Sequence, residues 1–305
     1  MIGFSVIIAA YQAETTLHEA LKSVANQSVS DWECIIIDDG STDRTTSIAE
    51  YWCGIDTRFI LIRSGSNAGP SAARNRGLNA ARGEWISILD ADDSYEPDRL
   101  YILREAAEEL DVAVIFDNQW LWTPPDRTRR RWLDLRDDEL RRYGLDRFLY
   151  QVSGFSRCHW GSAQPMFRRK SIEKRNVHYD ERFTFGEDVL FFAQLIMITR
   201  SFGVCGYPGY AYRLPTVGAR NLSLTVDEQG RLTAKELLSN LRAELSVWGR
   251  LWLHLRSIHF ELTDWRSRLS EARRRGNYTE IFLLVLGTPK AWLWLVLRVV
   301  RTIGR

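Results

Sequence analysis

Two carboxylate pairs stand directly after apolar runs in the first hundred residues. Asp90-Ala91-Asp92 follows Ile86-Ser87-Ile88-Leu89, and Asp38-Asp39-Gly40-Ser41 follows the run from Cys34 to Ile37. Carboxylates two residues apart suit a hard divalent cation, Mg²⁺ or Mn²⁺, which takes few protein oxygens and completes its shell with phosphates and water. Aspartate is also at home in turns and helix caps, and Asp93 reads best that way. In the earlier pair, one carboxylate fits as the cap of a helix starting near Thr42. The other fits as an acceptor for a hydrogen bond from a base or sugar. A third stretch, Gly69-Pro70-Ser71-Ala72-Ala73-Arg74-Asn75-Arg76-Gly77, opens a helix with small residues and places Arg74 one turn inside. A helix start with an arginine suits phosphate, although Arg74 read alone fits a surface position equally well. Glu187-Asp188 precedes the helical pattern Val189, Phe192, Leu195, Ile196 and reads as a helix N-terminus.

Short apolar strands must carry these groups. The runs at 4–10, 34–37, 59–62 and 85–89 alternate with helical patterns at 15–27, 43–52 and from 69. Strands apolar on both faces and separated by helices predict a parallel sheet covered by helices. Ligands sit beyond the carboxyl ends of such strands, where both aspartate pairs fall. Val112–Phe116 reads as a further strand. Residues 123–142, rich in Arg, Asp and Pro, read as an exposed insertion, and 203–213 as extended. The pattern turns helical from about 226, and Leu and Trp recur at helical spacing among arginines over 231–273.

In combination and in this order, the motifs resemble the family 2 glycosyltransferases. The residues that carry the resemblance are Val6-Ile7-Ile8-Ala9-Ala10-Tyr11, Ile36-Ile37-Asp38-Asp39-Gly40-Ser41, Ala73-Arg74-Asn75-Arg76-Gly77, Leu89-Asp90-Ala91-Asp92-Asp93 and Phe185-Gly186-Glu187-Asp188. The chain departs from the pattern at Ala9, where Pro or Thr is frequent, and at Gln12, where Asn is common. The resemblance covers about 1–215 and implies a GT-A fold: an α/β, Rossmann-like, mostly parallel sheet flanked by helices. Within a domain over 1–220 it implies a nucleotide-sugar half at about 1–95 and an acceptor half at about 96–220. A helical, basic C-terminal region over 221–305 follows. The implied nucleotide-sugar-binding residues are Ala9, Tyr11 (packing on uracil), Asp39 (accepting the imide hydrogen), Arg74 (near base or diphosphate) and Asp90 (ribose side). Asp92, with Asp90, is the implied holder of Mn²⁺ or Mg²⁺. Asp188 is the implied general base, with Glu187 orienting it or the acceptor. These roles describe inverting transfer of one sugar from a UDP-sugar to a hydroxyl. Ala113–Asn118, Gln164–Arg169 and Tyr179-Asp180-Glu181 look like the bacterial succinoglycan-type exopolysaccharide enzymes, which implies a lipid-linked saccharide acceptor.

Composition bounds the alternatives. The 305 residues are 45% hydrophobic and 26% charged, a globular balance, with a net charge of +2 that does not argue for nucleic acid. From 241 onward there are 12 basic and 5 acidic residues, a net +7 on an otherwise slightly acidic chain. Cys34, Cys53, Cys158 and Cys205 show no metal or redox spacing, and no histidine pair shows ligand spacing, so a reduced cytoplasmic protein is expected. Arg131-Trp132 has Thr128 where the processive enzymes carry Gln, and precedes the Glu-Asp pair, so a single-transfer enzyme is expected. A sugar-nucleotide nucleotidyltransferase needs a Gly-rich basic loop where Ala9–Glu14 stands. A catalytically silent nucleotide-sugar-binding subunit would not need the aspartate set. Trp120, Trp122 and Trp160 are candidates for stacking on an acceptor sugar. Residues 278–305 hold apolar runs interrupted by Pro289-Lys290, with Trp292, Trp294, Arg298, Arg301 and Arg305. They are expected to lie on the cytoplasmic face of the inner membrane without crossing it.

Overall fold

The computed structural model describes residues 2–124, 128–152, 163–173, 175–183, 186–214 and 246. The run Phe4–Ala10 forms β1, whose Phe4, Val6, Ile7 and Ile8 are fully buried. β2 (Trp32–Asp38) and β4 (Trp85–Ile88) flank it in parallel, and β3 (Phe59–Arg63) lies parallel beyond β2. Side chains alternate across the sheet. Ile7, Ile35 and Ile37 face one core with α3 (Pro70–Ala80), α5 (Leu145–Val152) and α7 (Glu187–Thr199). Phe4, Val6, Ile8, Cys34 and Ile36 face the other, with α1 (Leu17–Ala25), α2 (Thr45–Ile55) and α4 (Arg99–Glu109). Period-two strands that are apolar throughout therefore require helices on both sides.

The remaining strands are β5 (Ser94–Tyr95), β6 (Val114–Trp122), β7 (Arg129–Arg131), β8 (Leu140–Tyr143), β9 (Met166–Arg168) and β10 (Phe202–Arg213), and α6 spans Arg169–Glu173. The described strands form one sheet ordered β3-β2-β1-β4-β9-β6-β10-β5, with β7 on β6 and β8 on β10. It is parallel from β3 to β4 and mixed beyond, because β9 runs antiparallel to both β4 and β6. The α/β fold expected from the sequence is present.

The stretch read as an exposed insertion is bound more closely than its composition indicates. Arg129–Arg131 are exposed, yet their backbone pairs with Trp120–Trp122, and Leu140–Tyr143 pairs with β10. Charged side chains point outward while the amides still extend the ladder. The expected domain boundary at 220, the helical region 221–305 and the segment 278–305 lie outside the described residues, save Ser246. No helix among the described residues is long and apolar enough to cross a membrane.

Candidate active site

The strand order reverses direction at β1, which has β2 on one side and β4 on the other. The crevice beyond their carboxyl ends is where such sheets bind ligands. Tyr11 leaves β1 there with its ring 51% exposed, an aromatic face open to solvent. Ala9, half-buried, packs on the α3–α7 core and presents no polar group. Gln12 adopts the left-handed region at φ +52°, where Asn is better tolerated than most residues. Its amide donates to Thr42 Oγ1 at 3.0 Å and accepts from the backbone of Thr42 and Asp43, so it joins the β1–α1 turn to the β2–α2 loop.

The two aspartates after β2 divide their work. Asp38 accepts from the Ser41 amide at 3.0 Å and from the Thr46 hydroxyl, and so builds the turn. Asp39 reaches across the crevice: Oδ2 accepts the amides of Ala68 at 2.9 Å and Gly69 at 2.8 Å, and Oδ1 accepts from Arg76 at 3.1 Å. It is itself buried and thereby fixes the loop that opens α3. Gly40 sits at φ +78°, and a Cβ there would meet the Asn67 amide at 2.8 Å, so the two loops touch backbone to backbone.

α3 is the organiser of the centre. A Cβ on Gly77 would lie 2.4 Å from Ile7 Cγ2, so only glycine lets the helix lie this close to β1. From that position Ser71 donates to the Phe183 carbonyl at 3.0 Å. The Asn75 amide exchanges two hydrogen bonds with the Tyr179 backbone, at 2.9 and 2.8 Å. These contacts dock the segment leading to α7, which starts at Glu187 after Gly186 at φ +76°. Glu187 and Asp188 are therefore both the first helical residues and neighbours of α3.

Arg74 is buried, not a surface residue, and it gathers the carboxylates. It donates to Asp90 Oδ1 at 2.9 Å and Glu187 Oε1 at 3.0 Å, and lies 3.4 Å from Asp188 Oδ1. Its guanidinium carbon is 5.3 Å from the centre of the Tyr179 ring, which stacks on Phe191 at 4.2 Å. Burial disfavours the cation, but Asp188 and Asp90 outweigh it and raise its pKa further above the usual arginine range. Burial pushes the Asp188 carboxyl up to about 7; Arg74 opposes the rise, and Glu187 and Asp90 add to it. A carboxyl held there can exchange a proton near neutral pH.

Asp92 is exposed at the mouth, where desolvation and then the charge of Asp90 raise its pKa. Asp93 faces inward and accepts from the Tyr210 hydroxyl at 2.8 Å and the Arg213 amide at 2.7 Å. Arg213 also donates from Nε to the Asp92 carbonyl at 3.0 Å, so β10 ends beside this loop. No group of three His, Cys, Asp or Glu among the described residues forms a metal cluster. Asp92 and Asp90 nevertheless fit a cation that takes few protein oxygens, chiefly through Asp92, since both Asp90 oxygens already bond to Arg74 and Gln164.

Sequence reasoning missed Gln164, Arg76 and Tyr179 as members of this site. Each stood inside a noticed motif, Arg76 in 73–77, Gln164 at the head of 164–169 and Tyr179 at the head of 179–181, but nothing local to those motifs tells that the three side chains meet the aspartates. Trp122 is buried beneath the Arg213 guanidinium at 4.6 Å, which removes it as a stacking platform, whereas Trp120 is half-buried with Arg131 over it. Trp160 lies outside the described residues. His18 accepts from the Trp52 indole at 3.3 Å, a structural role.

The sequence profile of the family described as Glycosyl transferase family 2 matches residues 5–177. Succinoglycan biosynthesis protein ExoO of Rhizobium meliloti is 31% identical over 209 residues, 68% of this chain and 60% of that protein. Putative glycosyltransferase EpsH of Bacillus subtilis is 32% identical over 218 residues, 69% and 60% of the two chains. The chain thus spans about 60% of the length of these curated relatives. Among solved structures, S. aureus TarS 1–349 in complex with UDP-GlcNAc superposes with a TM-score of 0.64 at 18% identity, over 92% of this chain and 90% of that one. Mannosyltransferase PcManGT from Pyrobaculum calidifontis, in complex with GDP-Man and Mn²⁺, gives 0.60 at 18% identity, over 98% and 83%. Both likenesses concern the fold.

Proposed function

The chain belongs to glycosyl transferase family 2, and from that premise we propose that it transfers one sugar from a UDP-sugar to a hydroxyl of a saccharide acceptor, with inversion at the anomeric carbon. The observation that carries this reading is the convergence of Asp90, Glu187 and Asp188 on Arg74, with Tyr11 and Asp92 exposed just after the neighbouring parallel strands β1 and β4. Tyr11 offers the uracil ring a face, and Asp39 an acceptor for its imide hydrogen. Asp188 takes the proton from the acceptor hydroxyl as that oxygen attacks the anomeric carbon opposite the departing diphosphate. One displacement with one base inverts the configuration. Glu187 and Arg74 hold Asp188 in register. Asp92, with Asp90, is the set that would hold Mn²⁺ or Mg²⁺, which when bound neutralises charge growing on the leaving diphosphate.

A neighbour bound to UDP-GlcNAc supports a uridine donor, and a neighbour bound to Mn²⁺ supports the cation. The succinoglycan relative supports a saccharide acceptor in surface polysaccharide synthesis; that the acceptor is lipid-linked and met at the cytoplasmic face of the inner membrane is part of the proposal. The basic, Trp-bearing segment 278–305 suits peripheral attachment there. UDP release from a panel of UDP-sugars, with and without Mn²⁺ and with a lipid-linked saccharide, tests the reading. NMR of the product reads the anomer. Metal-dependent release tied to an inverted product is expected; release from GDP-sugars alone, or a retained anomer, overturns it.

A further inference from the structure

Gln164 is 2% exposed and belongs to no motif that accounts for the chemistry above. Its place follows from strand register. β9 pairs antiparallel with β4 through Ser87↔Met166, so extending that ladder by two residues sets Gln164 opposite Leu89, next to Asp90. Its backbone is held from below: its carbonyl accepts from Arg99 Nη2 at 2.7 Å. Arg99 is fully buried and forked onto Asp117 at 2.8 and 2.9 Å, with its third nitrogen on the Ser87 hydroxyl at 2.7 Å. The side-chain amide then donates from Nε2 to Asp90 Oδ2 at 3.2 Å, and the same amide favours the ionised form of Asp188.

Four orphaned atoms mark the same place. Gln164 Oε1, Arg74 Nε, Asp188 Oδ1 and the Tyr179 hydroxyl are buried without a hydrogen-bond partner. Buried unpaired polar atoms are rare and collect where structure serves chemistry. The residue type is telling as well. Asp90, Glu187 and Asp188 already face one guanidinium, so a carboxylate here would add repulsion, and an apolar side chain would offer no donor. An uncharged donor of this reach is an amide.

We infer that Gln164 is a positioning residue: mounted on the buried Arg99–Asp117 pair, it fixes Asp90 from the side opposite Arg74 and so sets the donor-side carboxylate and the Glu187–Asp188 pair in one rigid frame. The role rests on the transfer reaction proposed above. It acts chiefly on turnover, because Tyr11 and Asp39, to which the uracil contacts are assigned, are held independently of it.

The experiment compares Gln164→Met, Gln164→Asn and Gln164→Glu with wild type. It reads kcat and donor KM, UDP affinity by calorimetry with Mn²⁺, and thermal midpoint. Met and Asn are expected to lower kcat about 10-fold or more, the worth of one hydrogen bond to a charged group. Donor KM and UDP affinity should change by less than kcat does, since the uracil contacts assigned to Tyr11 and Asp39 do not pass through Gln164. Glu is expected to lose more turnover than Met, since it adds charge where Met only removes a bond. Asn keeps the amide but is too short, so it tests reach should Met fail to fold. A kcat near wild type in Met or Asn overturns the role. So does a loss that tracks falling UDP affinity and thermal midpoint together, the mark of a merely structural residue. No turnover by wild type overturns the reading of the preceding section and this role with it, whereas wild-type turnover retained by the variants overturns this role alone.

Discussion

One guanidinium serves three carboxylates at the centre of this site, and the excess of negative charge sets what each can do. Asp188, buried beside Glu187 and Asp90, holds its proton up to about pH 7 despite Arg74. A base must be ionised to act. With a raised pKa its active fraction therefore falls as pH drops through about 7, and its plateau lies above. We expect kcat/KM to rise with pH across that value and level off on the alkaline side; a profile flat from pH 5 to 8 excludes Asp188 as the base. Asp188→Asn is nearly isosteric and cannot take a proton, so it should lose about 10²-fold or more in rate while still binding UDP. Should Glu187→Gln be inactive and Asp188→Asn normal, the other carboxylate is the base. Asp92 is exposed where Asp90 is already bonded, so Asp92→Ala should abolish turnover with thermal stability intact, as read by UDP release with Mn²⁺. Retained metal-dependent activity excludes Asp92 as the holder.

At the scale of elements, the site depends on how tightly neighbouring strands and helices are pinned. The Arg99–Asp117 pair joins α4 to β6 with both side chains inaccessible. Removing one partner of such a pair leaves a buried charge uncompensated. Asp117→Ala should therefore cost about 3–5 kcal/mol, measured by chemical denaturation; a loss below about 1 kcal/mol means Arg99 finds other compensation. The same scale explains what the sequence could reveal. Tyr11, Asp39, Asp90 and Glu187–Asp188 each follow an apolar run or begin a helix, so local pattern exposes them. Gln164 meets Asp90 across 74 residues, through a ladder whose antiparallel direction no local pattern announces. Arg74 read equally well as a surface residue, because burial by α7 depends on Ser71 and Asn75 docking a segment more than 100 residues away. The stretch 123–142 misled for a related reason: composition reports side chains, and backbone pairing is blind to them.

The whole molecule carries its charge unevenly, with a net +7 from 241 onward. If 278–305 meets anionic lipid, deleting it should abolish co-sedimentation with anionic vesicles while leaving UDP release from soluble acceptors in place. Equal binding by full-length and truncated protein excludes the segment as the anchor. The end of β10 gives that test a further meaning. Arg213 bonds to the backbone of Asp92 and to the side chain of Asp93, and Leu214 donates to the Trp122 carbonyl at 2.7 Å. Leu214 itself thus lies at the rim of the crevice and not at its back. An anchor farther along the chain, if 278–305 is one, would work as a leash fastened at the doorway. Its length, not its affinity alone, would then govern how often a substrate confined to two dimensions meets the catalytic groups, as effective concentration does for any linked pair.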